Sequence, residues 1–192
     1  MLDIIDALDK QLFLLLNSFH SRFFDVVMWY ASDKLIWLPL YFILIYLIAR
    51  KYGWETFAVL LTLAVLISLS DQVSGFIKDT VMRLRPSHEP ELLDQVRNLR
   101  GYVGGNYGFV SAHAANSFAF AYFVYKFLNL RYTILGPGLF IWALIVSYSR
   151  IYLGVHYPGD IIAGAVLGLA LAFLITTLYK RVINSFCNSR YC

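Results

Sequence analysis

The chain is 192 residues long, 59% of them hydrophobic and only 15% charged, with a mean hydropathy of +0.63. Soluble domains average about 45–50% apolar and about 25% charged residues, so this chain lacks the polar surface to cover itself in water. Disordered, collagen-like and disulfide-scaffold classes are excluded, and the modest net charge of +4 gives no argument for a nucleic-acid partner. Both cysteines, Cys187 and Cys192, lie in the last six residues, without metal-ligand spacing, and read as part of a dispensable tail. No protein partner is implied.

The N-terminal segment carries Leu2, Ile5, Leu8, Leu12, Leu15 and Leu16 at helical spacing, with Asp3, Asp6, Asp9 and Lys10 largely between them. That pattern predicts an amphipathic helix along the membrane interface; without a basic n-region it is no cleavable signal peptide. A bilayer core needs about 20 helical residues, fewer where helix ends reach the headgroups. Five segments qualify, at 35–49, 57–77, 109–128, 133–148 and 161–179. A sixth crossing through residues 12–31 would bury Asn17, His20, Arg22 and Asp25, which is costly in hydrocarbon. The expected fold is an all-α integral membrane helix bundle of five spans plus the interfacial helix, with six as the alternative. It forms one domain over residues 1–192: interfacial helix and connector at 1–31, bundle at 32–180, cytoplasmic tail at 181–192.

Five alternating spans leave the linkers 78–108 and 149–160 on one face. Arg50, Lys51, Lys126, Arg131, Lys180, Arg181 and Arg190 fall on the other, with Glu55 as its only acid. The positive-inside rule makes this second face cytoplasmic, so the linkers lie outside.

On the outer face the span ends bring together Lys78, Arg85 before Pro86, Ser111-Ala112-His113, Ser149-Arg150 and His156-Tyr-Pro-Gly-Asp160. Ionisable groups at one membrane depth are rare unless functional. Arg85 and Arg150 offer planar donor forks for phosphate oxygens, and Lys78 adds a compact charge. Ser111 suits the N-cap of the third span, leaving the N–H groups of Ala112 and His113 to face an anion. Two histidines divide naturally between nucleophile and acid, and Asp160 is spaced either to cap the fifth span or to hold His156 in one tautomer. Ser68, Asp71, Gly75 and Lys78 form a polar stripe on the second span, read as a hydrogen-bonding seam. Asn116 and Ser117, one turn past His113, stand behind the site, and the glycines of 101–108 read as a flexible turn.

Lys78-x6-Arg85-Pro86, Ser111-Ala-His113 and Ser149-Arg150-x5-His156-x3-Asp160 together resemble the three-part signature of type 2 phosphatidic acid phosphatases. These are integral-membrane relatives of vanadium haloperoxidases and bacterial acid phosphatases. The resemblance implies a phosphatase that needs no metal or other cofactor and works through a phosphohistidine. His156 would be the nucleophile, Asp160 its orienting group and His113 the general acid. Lys78, Arg85, Ser111, Ala112 and Arg150 would form the phosphate cradle. Two departures stand out. The family's usual Pro-Ser-Gly-His is here Val110-Ser111-Ala112-His113, whose extra methyl implies a tighter pocket, and the family commonly has six spans.

The substrate implied is a lipid phosphate met at headgroup depth in a bacterial inner membrane, with the site on the periplasmic face. Undecaprenyl diphosphate is the first expectation by family analogy. Phosphatidylglycerophosphate, phosphatidic acid and a lipid A phosphate are its alternatives. Other readings of the same residues are a lipid phosphotransferase, a headgroup transporter, and a metal site on His113, His156 and Asp160.

Overall fold

The computed structural model describes residues 2–128 and 134–189. Among them it is helical, with one isolated antiparallel bridge, Leu84 to Tyr107. Seven α-helices follow in chain order: α1 (Leu2–Ser18), α2 (Arg22–Ala31), α3 (Leu38–Tyr52), α4 (Thr56–Val81), α5 (Ala112–Leu128), α6 (Leu135–Tyr152) and α7 (Pro158–Ser189). Among the described residues, three stretches are long and apolar enough to cross a bilayer: Leu35–Val81, which holds α3 and α4, Leu135–Tyr152 and Pro158–Ile183. The central α5 is 17 residues long.

Helices α3 to α7 take the places of the five expected spans with shifted ends. The third starts at Ala112 rather than 109, because the backbone of Gly108 and Ser111 is tied to Arg83 and Asp160 instead of to a helix. The fifth starts at Pro158, whose ring suits a first helical turn, and continues to Ser189. The connection 129–132, Thr133 as the start of the fourth span, Arg131, Arg190, Cys192 and the side chain of Cys187 lie outside the described residues.

Hydrogen bonds fix which helix ends meet. Gly53 ends α3 with a positive φ of 53°, and its N–H reaches the Ala49 carbonyl, the left-handed stop that glycine takes without a Cβ clash. Beside it, Lys51 and Tyr52 donate to the Phe127 carbonyl at the end of α5. The α3–α4 turn and the end of α5 therefore share one end of the bundle. Ser32, just before α3, meets Arg150 at the end of α6. The α2–α3 turn, the long segment 82–111 and the α6–α7 turn thus share the other end.

Helix α5 is the axis of the bundle, buried along most of its length. Its closest neighbour is α7, and the reason is Gly164-x3-Gly168. A Cβ on Gly164 would stand 2.5 Å from the Ser111 carbonyl oxygen, and one on Gly168 2.0 Å from that of Ala115. Only residues without side chains let two backbones approach so closely, the small-xxx-small device of membrane helices. This contact sets the distance between the start of α5 and the start of α7, where two of the signature motifs lie.

The N-terminal region does not cross in one helix; it breaks at residues 19–21 into α1 and α2. Asn17 explains where. It is buried, donates to the carbonyls of Arg97, Ile151 and Tyr152, and accepts from the Arg97 N–H. In α2, Asp25 pairs with Arg97 at 2.7 Å and accepts from the Tyr152 hydroxyl at 2.6 Å. The polar side of α1 faces protein, while Ile5, Leu8, Leu12 and Leu15 stay exposed, the apolar face an interfacial helix presents to lipid.

Candidate active site

Three segments converge at the α2–α3 end of the bundle. The turn between α6 and α7 carries His156, which is buried with Asp160 just beyond it. The Asp160 Oδ2 accepts from the Tyr157 N–H at 3.1 Å and faces His156 Nδ1 at 3.3 Å. The other ring nitrogen, Nε2, lies 3.2 Å from a terminal nitrogen of Arg85. A guanidinium only donates, so Nε2 must be the acceptor, and the ring proton then sits on Nδ1 facing the carboxylate. Two contacts thus define one tautomer. Burial holds His156 neutral, with Arg85, Arg150 and Lys78 around it, and its pKa lies well below the ordinary histidine value.

Arg85 is placed by an extended segment. As the residue before Pro86 it avoids helical backbone, at φ −72° and ψ 157°. Its N–H binds the Asn106 carbonyl, and its guanidinium donates to the carbonyls of Tyr107 and Val155. Burial, then the Arg150 charge, lowers its pKa.

Arg150, at the end of α6, is buried. It donates to the hydroxyls of Ser32 and Tyr102, and its Nε has no partner among the described residues. A buried unpaired donor is costly unless a ligand supplies the acceptor. The side chain of Lys78, in the last turn of α4, makes no hydrogen bond or ion pair among the described residues. Its charge is felt at both His156 and Arg85.

Ser111 caps α5 as expected, accepting from the Ala114 N–H at 3.4 Å, while its own N–H goes to the Asp160 carbonyl. It therefore joins α5 to α7. Ala112 and His113 line a cavity of about 590 Å³ bounded by α3, α4, α5 and α6. His113 also lines a second hollow of about 450 Å³ shared with Arg150, Tyr102 and Lys34. The structure thus brings all eight residues singled out in the sequence to one end of the bundle. His113 stands on the open side and His156 on the closed side.

Four contributors were not singled out. Arg83 pairs with Asp160, Asp9 and Asp6. Its signal was its place two residues before Arg85, because alternate residues of an extended segment face the same way. Ser32 and Tyr102 brace Arg150, with no local pattern to announce them. Gly108, placed in the flexible turn, is a close-approach residue: a Cβ there would meet Asp160 Oδ2 at 2.8 Å. The polar seam on α4 faces the larger cavity, where Asn116 donates to Asp71 at 3.3 Å and Ser68 and Ser117 complete a polar wall. Among the described residues no group of three His, Cys, Asp or Glu side chains forms a metal-ion cluster.

The family model of the PAP2 superfamily matches residues 55–184, which hold all three motifs. The chain belongs to the PAP2 superfamily. Among curated relatives, the lipid A 4'-phosphatase of Bacteroides thetaiotaomicron is 38% identical over 171 residues, covering 88% of this chain and 75% of its own length. The lipid A 4'-phosphatase of Porphyromonas gingivalis is 33% identical over 183 residues, 93% of this chain and 75% of its own. A transmembrane PAP2-type phosphatidylglycerolphosphate phosphatase from Bacillus subtilis, known from its crystal structure, matches with a TM-score of 0.69. At 22% identity, covering 93% of this chain and 88% of that one, it speaks for the PAP2 fold alone.

Proposed function

We propose that this membrane PAP2 lipid phosphatase works through a phosphohistidine on His156, without a metal, and removes a phosphate from a glycolipid of the lipid A type. The observation that carries the mechanism is the pair of contacts on the His156 ring. Arg85 on Nε2 and Asp160 on Nδ1 make Nε2 the lone-pair nitrogen, the one a nucleophile needs. When substrate binds, its phosphate oxygens take over the Arg85 N–H and free Nε2 to attack phosphorus. Lys78, Arg85 and Arg150 offset charge on the phosphoryl oxygens, with the α5 N–H groups of Ala112 and His113 beside them.

In the first step the Nε2–P bond forms, the P–O bond to the lipid breaks, and His113 gives its proton to the departing oxygen. Asp160 stabilises the ring cation that results. In the second, water attacks phosphorus, its proton passes to His113, and the P–N bond breaks to release inorganic phosphate.

The cavity at His113 receives the leaving group, and its wall supports the choice of lipid. Asp71 lies seven residues from Lys78 along α4, about 10 Å deeper. There it pairs with Asn116, whose Oδ1 is buried without a partner among the described residues. A polyprenyl diphosphate offers only hydrocarbon beyond its phosphates, whereas an acylated sugar offers hydroxyls and amides at that depth. The two lipid A 4'-phosphatase relatives support the same choice over undecaprenyl diphosphate, the first expectation from the motifs. By the positive-inside pattern the site lies on the periplasmic face of an inner membrane.

The test is phosphate release in detergent from lipid A 4'-phosphate, undecaprenyl diphosphate, phosphatidylglycerophosphate and phosphatidic acid, with EDTA, for wild type and His156→Ala. The reading expects lipid A to rank first, EDTA to change nothing and the variant to be inactive. Undecaprenyl diphosphate ranking first would overturn the substrate. Loss of activity in EDTA would overturn the mechanism.

A further inference from the structure

We propose that Arg83 and Asp9 are positioning residues of this reaction: through them the N-terminal helix holds the Asp160 carboxylate, and with it the His156 ring, in the reactive orientation. The inference rests on the phosphohistidine reading above.

Asp160 is fully buried, and a buried carboxylate needs every lone pair answered. Its Oδ2 is taken by the Tyr157 N–H and His156; its Oδ1 accepts from Arg83 at 2.9 Å. Without Arg83 the carboxylate would be fixed at one oxygen only, free to turn and carry the imidazole with it.

Both terminal nitrogens of Arg83 are already committed to carboxylates. One terminal nitrogen is shared between Asp160 and Asp9, at 2.9 Å each, and the other binds Asp6 at 2.7 Å. Its guanidinium also lies 4.0 Å from the centroid of the Tyr157 ring. Arg150, by contrast, gives its terminal nitrogens to neutral hydroxyls, and its buried Nε has no partner among the described residues.

Asp9 completes the brace from α1. Its second oxygen accepts from the Gly159 N–H at 2.8 Å, next to Asp160 in the chain, and a Cβ on Gly159 would stand 2.6 Å from the Asp9 carboxylate. Phe13 packs edge-on against Tyr157, one turn along α1. Helix α1 lies upstream of the residues that the family model matches, so the brace is built by a segment outside that core.

The charges facing His156 come from every neighbouring element: Lys78 of α4, Arg85 of the 82–111 segment, His113 of α5, Arg150 of α6 and Asp160 of α7. Asp6 and Asp9 offset Arg83 at one remove. Each half of the brace therefore has its own electrostatic signature. Removing the Arg83 cation takes a positive charge away from the neighbourhood of His156 and favours protonation of its ring, so the acidic limb of kcat/KM moves to higher pH. Removing the Asp9 anion leaves Arg83 less balanced, and the limb moves to lower pH.

The experiment measures pH profiles of kcat and KM for wild type, Arg83→Gln, Arg83→Lys, Asp9→Asn and His156→Ala on the lipid phosphate that wild type hydrolyses best. Arg83→Gln is expected to lower kcat about 10²-fold, the cost of a misplacement near 1 Å, with KM unchanged and partial recovery in Arg83→Lys. The acidic limbs of Arg83→Gln and Asp9→Asn are expected to move in opposite directions. A raised KM at constant kcat would make Arg83 a phosphate ligand and overturn the proposal. Unshifted limbs in folded variants would reduce the brace to a structural one. Should Arg83→Gln not fold, the lowered kcat and downward-shifted acidic limb of Asp9→Asn carry the test. Activity in His156→Ala would instead sink the phosphohistidine reading on which the brace depends.

Discussion

The two histidines sit in opposite kinds of surroundings. His156 is buried, bonded at both ring nitrogens and backed by Asp160, whose own oxygens are tied to the Tyr157 backbone and to Arg83. His113, 43 positions earlier in the chain, lines two hollows at once and borders a cavity of about 590 Å³. One side of the site is over-determined and the other is roomy. A nucleophile gains from a single fixed tautomer and angle, since attack geometry decides much of the barrier. A general acid must instead follow leaving groups of different shape, then turn to water for the second step. On the proposed mechanism the difference would give rigidity to bond making and room to lipid choice.

The largest expected effects break the closed side. His156→Ala should abolish turnover, and Asp160→Asn should lower kcat about 10⁴-fold, as loss of the orienting carboxylate does in hydrolytic triads. Both are read by initial rates of phosphate release. On the open side, His113→Ala should cost about 10²–10⁴-fold on a lipid phosphate, the usual worth of a placed acid. With an aryl phosphate, whose leaving group needs no proton, the loss of the first step should largely vanish and phosphoenzyme should accumulate. Equal loss on both substrates would deny His113 the role of acid.

Smaller effects sharpen the contrast. Gly108→Ala adds a methyl 2.8 Å from Asp160 Oδ2 and should lower kcat about tenfold, roughly 1.4 kcal/mol of barrier. Asn116→Leu keeps the cavity volume but removes its polar wall. It should raise KM for a glycolipid phosphate several-fold and leave an alkyl phosphate unaffected, in a direct comparison of the two. Acid sensitivity should follow the charges. As the proposed nucleophile His156 must be neutral, and burial with the cations Arg85, Arg150 and Lys78 disfavours its protonated form. The acidic limb of kcat/KM should therefore lie well below the ordinary histidine pKa of about 6.5. Arg85→Gln should move that limb upward.

The sequence revealed what depended on local spacing. His156 and Asp160 are one helical turn apart, and Lys78, Arg85 and the Ser111 cap were visible because each sits within a few residues of a predictable helix end or proline. Five apolar stretches likewise announced α3 to α7, although their ends moved where the chain was tied to another segment rather than to its own helix. The contacts that support those residues were hidden. Asp9 reaches Arg83 across 74 residues and Ser32 reaches Arg150 across 118. The carboxylates of α1 looked like a water-facing side because amphipathic spacing shows which residues share a face, not what that face meets. Gly108 was hidden for a related reason: a glycine placed for close approach and a glycine placed for a turn look identical until the neighbouring carboxylate is in position.

The most direct measurement of the central claim is a rapid-quench experiment with a ³²P-labelled aryl phosphate and the His113→Ala variant, followed by peptide mapping. The account predicts an acid-labile, base-stable label on the peptide carrying His156, formed before phosphate is released and absent in His156→Ala. Phosphate release by wild type at a normal rate with no label on His156 would contradict it, because water would then be attacking the lipid phosphate directly.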